Sequence, residues 1–93
     1  MAMNSNPEKL LKRHAQLVQS DLQKVLSHVQ QASGEWIVNT LVVEGCDAPF
    51  RYKRTQRIKS LRGGRVNLTY YPTTESVAGI EFEVMKVVRI RRA

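Results

Sequence analysis

From Trp36 onward the chain is dominated by a period of two. Phe50, Tyr52 and Ile58 share one parity, while Arg51, Lys53, Thr55, Arg57 and Lys59 share the other. Val66, Leu68 and Tyr70 alternate with Arg65, Asn67, Thr69 and Tyr71, and Ile80, Phe82, Val84, Val88 and Ile90 alternate with Glu81, Glu83, Arg89 and Arg91. Successive side chains of a strand point to opposite faces, so these runs predict half-buried strands, oily inside and charged outside. The stretch from Glu35 to Glu44 is apolar on both parities: Trp36, Val38 and Val42 on one, Ile37, Leu41 and Val43 on the other. That predicts a strand covered on both faces, with Trp36 in the core.

Gly63-Gly64 sits between two of the alternating runs and reads as the turn of a hairpin over 50–71. A two-residue loop there would place Lys59 and Arg57 opposite Leu68 and Tyr70 and bury the wrong face. A three-residue loop or a bulge restores Ile58 to the side of Val66, Leu68 and Tyr70, and leaves Tyr71 outward among Lys53, Thr55 and Arg57. Pro72 to Gly79 reads as a polar loop. In the last run Met85 and Val87 interrupt the polar side, as expected of a strand bending through a small barrel.

The first third reads differently. Residues 1–6 form a polar leader, taken as flexible. Asn6-Pro7 and Glu8 then suit a helix start. Leu11, Ala15, Val18, Leu22, Val25, Val29 and Ala32 recur at alternating intervals of four and three, and Gly34 supplies a stop, so a helix is predicted over 7–33. At 1.5 Å per residue it is roughly 40 Å long, more than a small β-domain can cover. A homodimer joined along Leu11, Val18, Leu22, Val25 and Val29 is therefore a second expectation. The expected architecture is α+β: one domain over 1–93, with a long N-terminal helix packed on a strongly bent, four- to five-stranded antiparallel sheet or partly open small barrel over 35–92.

Charge narrows the partner. The chain carries a formal charge of +7, and the acid-free stretch 48–74 alone accounts for +7, between segments 35–47 and 75–85 at −3 each. Phosphate contact needs cations in a row, and strand spacing sets Arg51, Lys53, Arg57 and Lys59 roughly 7 Å apart or more. With Arg62 at the turn, Arg65 beyond it, Tyr71 as a stacking ring and Arg89 and Arg91 (with Arg92) extending the track, the expected function is non-enzymatic binding of single-stranded DNA or RNA. In outline the plan resembles small barrels of the oligonucleotide-binding type, although in this reading the helix precedes the strands. The alternative is a protein-interaction or assembly module dimerising through its helix. An adaptor on an anionic membrane face is a third reading, short of an apolar wedge.

Catalysis finds little support. His14 and His28 lie too far apart on one helix to share a metal, and read as surface positions. Cys46, the single cysteine, excludes an internal disulfide and has no base beside it in sequence. Glu81 and Glu83 read as partners for cations across the sheet. No metal, cofactor or small-molecule ligand is expected. No apolar run approaches the roughly 18 residues of a membrane span, and the polar start lacks the pattern of a signal peptide, so the expected location is the cytoplasm.

Overall fold

A computed structural model describes residues 17–93. Among them there is no helix. Five strands, β1 (Val18–Ser33), β2 (Trp36–Val43), β3 (Phe50–Arg54), β4 (Arg65–Val77) and β5 (Ile80–Arg92), close a barrel in the order β1-β2-β3-β5-β4. All neighbours are antiparallel except β3 and β5, which run parallel through Phe50–Met85 and Arg51–Lys86. The fold is all-β, and the expected α+β plan is corrected.

The correction begins at β1. Residues 18–33 of the expected helix form this strand, whereas residues 1–16, with Leu11 and His14, lie outside the described part. One edge of β1 pairs with β4 from Val18 to Lys24, the other with β2 from Val25 to Ser33. Two irregularities, between Ser20 and Gln23 and between Val25 and Ser27, break the alternation. The residues in register with the buried positions of β4 and β2 are Ser20, Gln23, Val25, His28 and Gln30, separated alternately by three and two, so the bulged strand departs from a period of two. Among the described residues of the expected seam only Val25 is in the core; Val18, Leu22 and Val29 are exposed on a strand. The zipper through Val18, Leu22, Val25 and Val29 loses its helix, and its remaining member, Leu11, lies outside the described residues.

At the first bulge Leu22 adopts φ 57°, a conformation that costs a branched L-residue of order 1–2 kcal/mol. Two side chains of β4 hold it there. Leu22 N–H donates to Asn67 Oδ1 at 2.9 Å, and Arg65 donates to the Leu22 carbonyl at 2.8 Å.

The hairpin over 50–71 is likewise absent. β3 stops at Arg54, and β3 and β4 do not pair. Residues 55–64 instead run along the edge of β1 that β4 leaves uncovered. Gln30 brackets Ile58, its Nε2 donating to the Ile58 carbonyl at 2.8 Å and its Oε1 accepting from Ile58 N–H at 2.9 Å. Arg57 caps the Gln30 carbonyl at 3.1 Å. Gly63 N–H donates to the Val25 carbonyl, and Val25 N–H to the Gly64 carbonyl, at 2.8 and 2.9 Å. Gly63, at φ 84°, makes the turn. An edge that could template association is thereby closed. Ile58 packs on β1 rather than beside Val66.

Leu61, on this connection, is 7% exposed and enters the core formed by Val25, Leu41, Val43, Phe50, Tyr52, Val66, Leu68 and Val87. Phe50 meets Tyr70 edge to face, with centroids 4.8 Å apart. The reading of Phe50, Tyr52, Val66, Leu68 and Tyr70 as inward holds. Within β5, an irregularity opposite Thr69/Tyr70 buries Val87 and leaves Val88 exposed.

One core hydroxyl has no partner among the described residues. Tyr52 is 5% exposed and its OH is unbonded. Burial pushes its pKa above the ordinary value, a shift partly offset by the Arg54 guanidinium 4.8 Å over the ring. An orphaned buried group costs about 1–3 kcal/mol, so Tyr52→Phe is expected to be neutral or stabilising by about 1 kcal/mol. Between the unfolded and the raised folded pKa the folded state holds the extra proton, so Tyr52 makes stability fall as pH rises above about 10. Urea melts at pH 7 and pH 10.5 test this: the variant should lose less between them than the parent, and equal losses would discard the assignment.

Pro72–Gly79 is not a loop either. β4 continues to Val77 and turns at Ala78-Gly79 into β5. The two 13-residue strands form a long two-stranded ribbon.

Candidate functional site

The outer face of β2, β3 and β5 gathers what the alternating pattern left over. On β2, Ile37, Asn39, Leu41 and Val43 take the inward parity, so Trp36, Val38, Thr40 and Val42 take the outward one. Register sets Val38 beside Lys53 and Thr40 beside Arg51. Arg51 in turn neighbours Lys86 of β5, and Lys86 neighbours Tyr71 of β4. Lys53 and Arg51 of β3 and Lys86 of β5 therefore form a row across two strands on one surface.

Arg51 joins two depressions. One, of about 460 Å³, is lined by Gln31, Ser33, Val38 and Thr40. The other, of about 410 Å³, lies between the ribbon and the β2–β3 loop, with Ala48, Pro49, Val77, Phe82 and Val84 as its apolar wall. Arg51 donates to Thr40 Oγ1 at 3.4 Å and is ion-paired to Glu75. Met85 N–H donates to the Pro49 carbonyl at 2.8 Å, which fixes the root of the ribbon against that loop.

Two large aromatic side chains stand at the ends of this surface. Trp36 is 46% exposed where β2 begins, and Phe82 is 50% exposed on the ribbon. About eight strand steps separate them, roughly 25 Å. Trp36 is thus not in the core. β2 begins at the rim, where nothing among the described residues covers its outward parity.

The cations expected to form one track are divided. Arg51 and Lys53 lie on the outer face, and Lys86 joins them. Arg57 and Arg65 are engaged with the carbonyls of Gln30 and Leu22. Lys59 and Arg62 are exposed on the 55–64 connection. Arg89 and Arg91 lie on another wall of the barrel, facing Thr69 and Asn67. Tyr71 is outward as expected, but its neighbour is Lys86 rather than Arg57. Glu81 and Glu83 sit opposite Ser76 and Thr74, and neither is in an ion pair among the described residues.

His28 is also misplaced by the sequence reading. Leu61 N–H donates to its Nδ1 at 2.9 Å, so Nδ1 accepts and the ring proton resides on Nε2. That proton goes to Oδ1 of Asn39, 2.7 Å away and fully buried, whose Nδ2 donates to the Ile37 carbonyl at 3.3 Å. The ring is a structural joint between β1, β2 and the 55–64 connection. Among the described residues no three His, Cys, Asp or Glu side chains form a metal cluster, and Cys46 is half-buried with its thiol 3.7 Å from the Ala48 carbonyl.

Lys86 shares the parity of Phe82, Val84 and Val88, so only its charge marked it as outward; the signal for Trp36 and Phe82 was hidden by the rule that aromatic residues belong inside. No family model, curated protein or solved structure matches the chain.

Proposed function

We propose that the protein binds single-stranded nucleic acid across the outer face of β2, β3 and β5. The observation that carries this reading is the arrangement of Trp36, Lys53, Arg51, Lys86 and Phe82: a cationic centre with an exposed ring at either end. Single-strand binders combine a basic path for phosphates with aromatic platforms for bases. The five-stranded barrel resembles the oligonucleotide-binding type, in which the β2–β3 face and the β1–β2 and β4–β5 connections hold the ligand. Here those connections lie next to Trp36 and Phe82. That likeness is an analogy of architecture, and a fold can host many functions. The roughly 25 Å span corresponds to about four nucleotides at the spacing of successive phosphates, the low end for one barrel of this kind.

In this reading Lys53 and Lys86 contact phosphate as point charges. Arg51 is held by Glu75, and donates to phosphate with the guanidinium hydrogens that the ion pair leaves over. The apolar wall beside Phe82 accepts a base edge-on. The hairpin track through Arg57, Lys59 and Arg65 is abandoned; Lys59 and Arg62 contribute long-range attraction only.

Trp36 is the single tryptophan, so its emission reports on the site directly. Adding an eight-residue oligothymidylate at 50 mM salt is expected to quench it saturably. With three phosphate contacts, log affinity should fall against log salt with a slope of about −2. The Lys53→Glu/Lys86→Glu double variant should bind at least about tenfold more weakly, while Lys59→Glu changes little. Unquenched emission, or equal losses from both variants, would remove the proposed face.

A further inference from the structure

Arg89 and Arg91 lie away from the β2–β3 face. Together with Gln19, Asp21, Asn67 and Thr69 they line a depression of about 290 Å³ on the wall formed by β1, β4 and β5. Register sets Thr69 opposite both Arg89 and Gln19, and Asn67 opposite Arg91.

Hydrogen-bonding capacity here is unevenly used. Gln19 is engaged at both ends: Nε2 donates to Asp21 Oδ1 at 2.6 Å, and Oε1 accepts from the Thr69 hydroxyl. Asn67 Oδ1 accepts from Leu22 N–H. What remains is the Nδ2 amide group of Asn67 and two guanidinium groups. Neither arginine is ion-paired among the described residues, although Asp21 lines the same depression. Two cations two residues apart on one strand are roughly 7 Å from each other, close enough to repel and to share one anion. The surplus is of donors, and the geometry of guanidinium suits phosphate oxygens.

We propose that this depression is a phosphate-binding site, with Arg89 and Arg91 as its charged donors and Asn67 Nδ2 as its neutral one. It is independent of the β2–β3 face, since it shares no residue with it. The bulge at Leu22 gives the site its form: by engaging Asn67 Oδ1, it fixes which end of the amide is left to donate. The phosphate belongs either to a small phosphoryl compound or to the end or backbone of a nucleic acid, and the recognising chemistry is the same.

The test is an NMR titration of the intact chain, following the side-chain N–H signals of Arg89, Arg91 and Asn67. Inorganic phosphate is added against chloride at matched ionic strength. Saturable shifts are expected with phosphate and not with chloride. Arg89→Gln/Arg91→Gln should weaken them at least about tenfold. Asn67→Asp should do likewise while retaining an acceptor for Leu22 N–H, so a folded protein that no longer takes the anion is the expected result. Short oligothymidylates with and without a 5′-phosphate separate the sources: a response to the phosphorylated one alone assigns a terminal phosphate, and a response to both assigns the diester. Wild-type signals that move equally with phosphate and chloride, or a double arginine variant that titrates as the parent does, would overturn the site. Because Trp36 is remote from it, loss of this response with Trp36 quenching retained leaves the β2–β3 face standing, and the converse leaves this site standing.

Discussion

Leu61→Ala is expected to destabilise the fold by about 2–5 kcal/mol, the range for emptying a buried leucine position. Small domains have about 5–15 kcal/mol in total, and each kcal/mol moves the midpoint of a chain this size by about 4–8 °C. The melting temperature should therefore drop by more than about 10 °C. The reason is the place Leu61 occupies. The 55–64 connection has no regular structure, yet it is bonded along β1, and Leu61 is its one side chain in the core. Leu61→Met, which conserves volume, should lose under about 1.5 kcal/mol. Ile58→Ala, on the same connection but 36% exposed, should lose less than Leu61→Ala by a wide margin. Thermal melts of the three variants decide it. If Leu61→Ala and Ile58→Ala melt together, Leu61 is not the residue that anchors the connection to the core.

Asn39→Ala is expected to lose about 1–3 kcal/mol for each buried polar group it orphans. The first is the Nε2 proton of His28, which has Asn39 Oδ1 as its acceptor at 2.7 Å. His28→Ala strands a different group, the Leu61 N–H that donates to Nδ1. Because both variants break one chain of bonds from Leu61 through His28 to Asn39, their losses should not add. A double-mutant cycle by urea denaturation should return a coupling of about 0.5–3 kcal/mol. Strict additivity would mean that the three groups act separately and that the network is an accident of proximity.

Much of the sheet was legible because period two is a local signal. β2 and β5 begin where the alternation does, and Phe50, Tyr52, Val66 and Leu68 are buried as their parity requires. β1 was not legible. Its partnered inward positions include Ser20, Gln23 and His28, whose side chains hydrogen-bond to Tyr70, to the Asp21 carbonyl and to Asn39, so no oily alternation marks it. The apolar residues Val18, Leu22 and Val29, which stand at helical intervals with Val25, are exposed. Tertiary pairing overrides such local preference. Gly63-Gly64 announced a turn, but a turn signal does not name the strand it serves, and that strand was β1 rather than β3.

The candidate site divides along the same line. Outward parity found Arg51, Lys53 and Tyr71 from sequence. Their neighbours came from other strands, and those depend on the order of closure. Glu75 of β4 pairs with Arg51 of β3 across β5, which lies between those two strands in the barrel. Arg57 and Arg65 had the right charge for phosphate, yet backbone carbonyls left open by an edge and a bulge engage them. A count of charges cannot anticipate such local demands.

Val25 gives and receives hydrogen bonds with the Gly63-Gly64 pair, and at that residue β1 passes from one neighbour to the other. Sealing the cylinder therefore waits on an encounter between points far apart along the polymer. The entropy of bringing such distant points together must be met before the contacts that reward it exist. Folding should accordingly be late-committing and slow for a chain so short, in the millisecond-to-second regime of topologies built from non-local pairings.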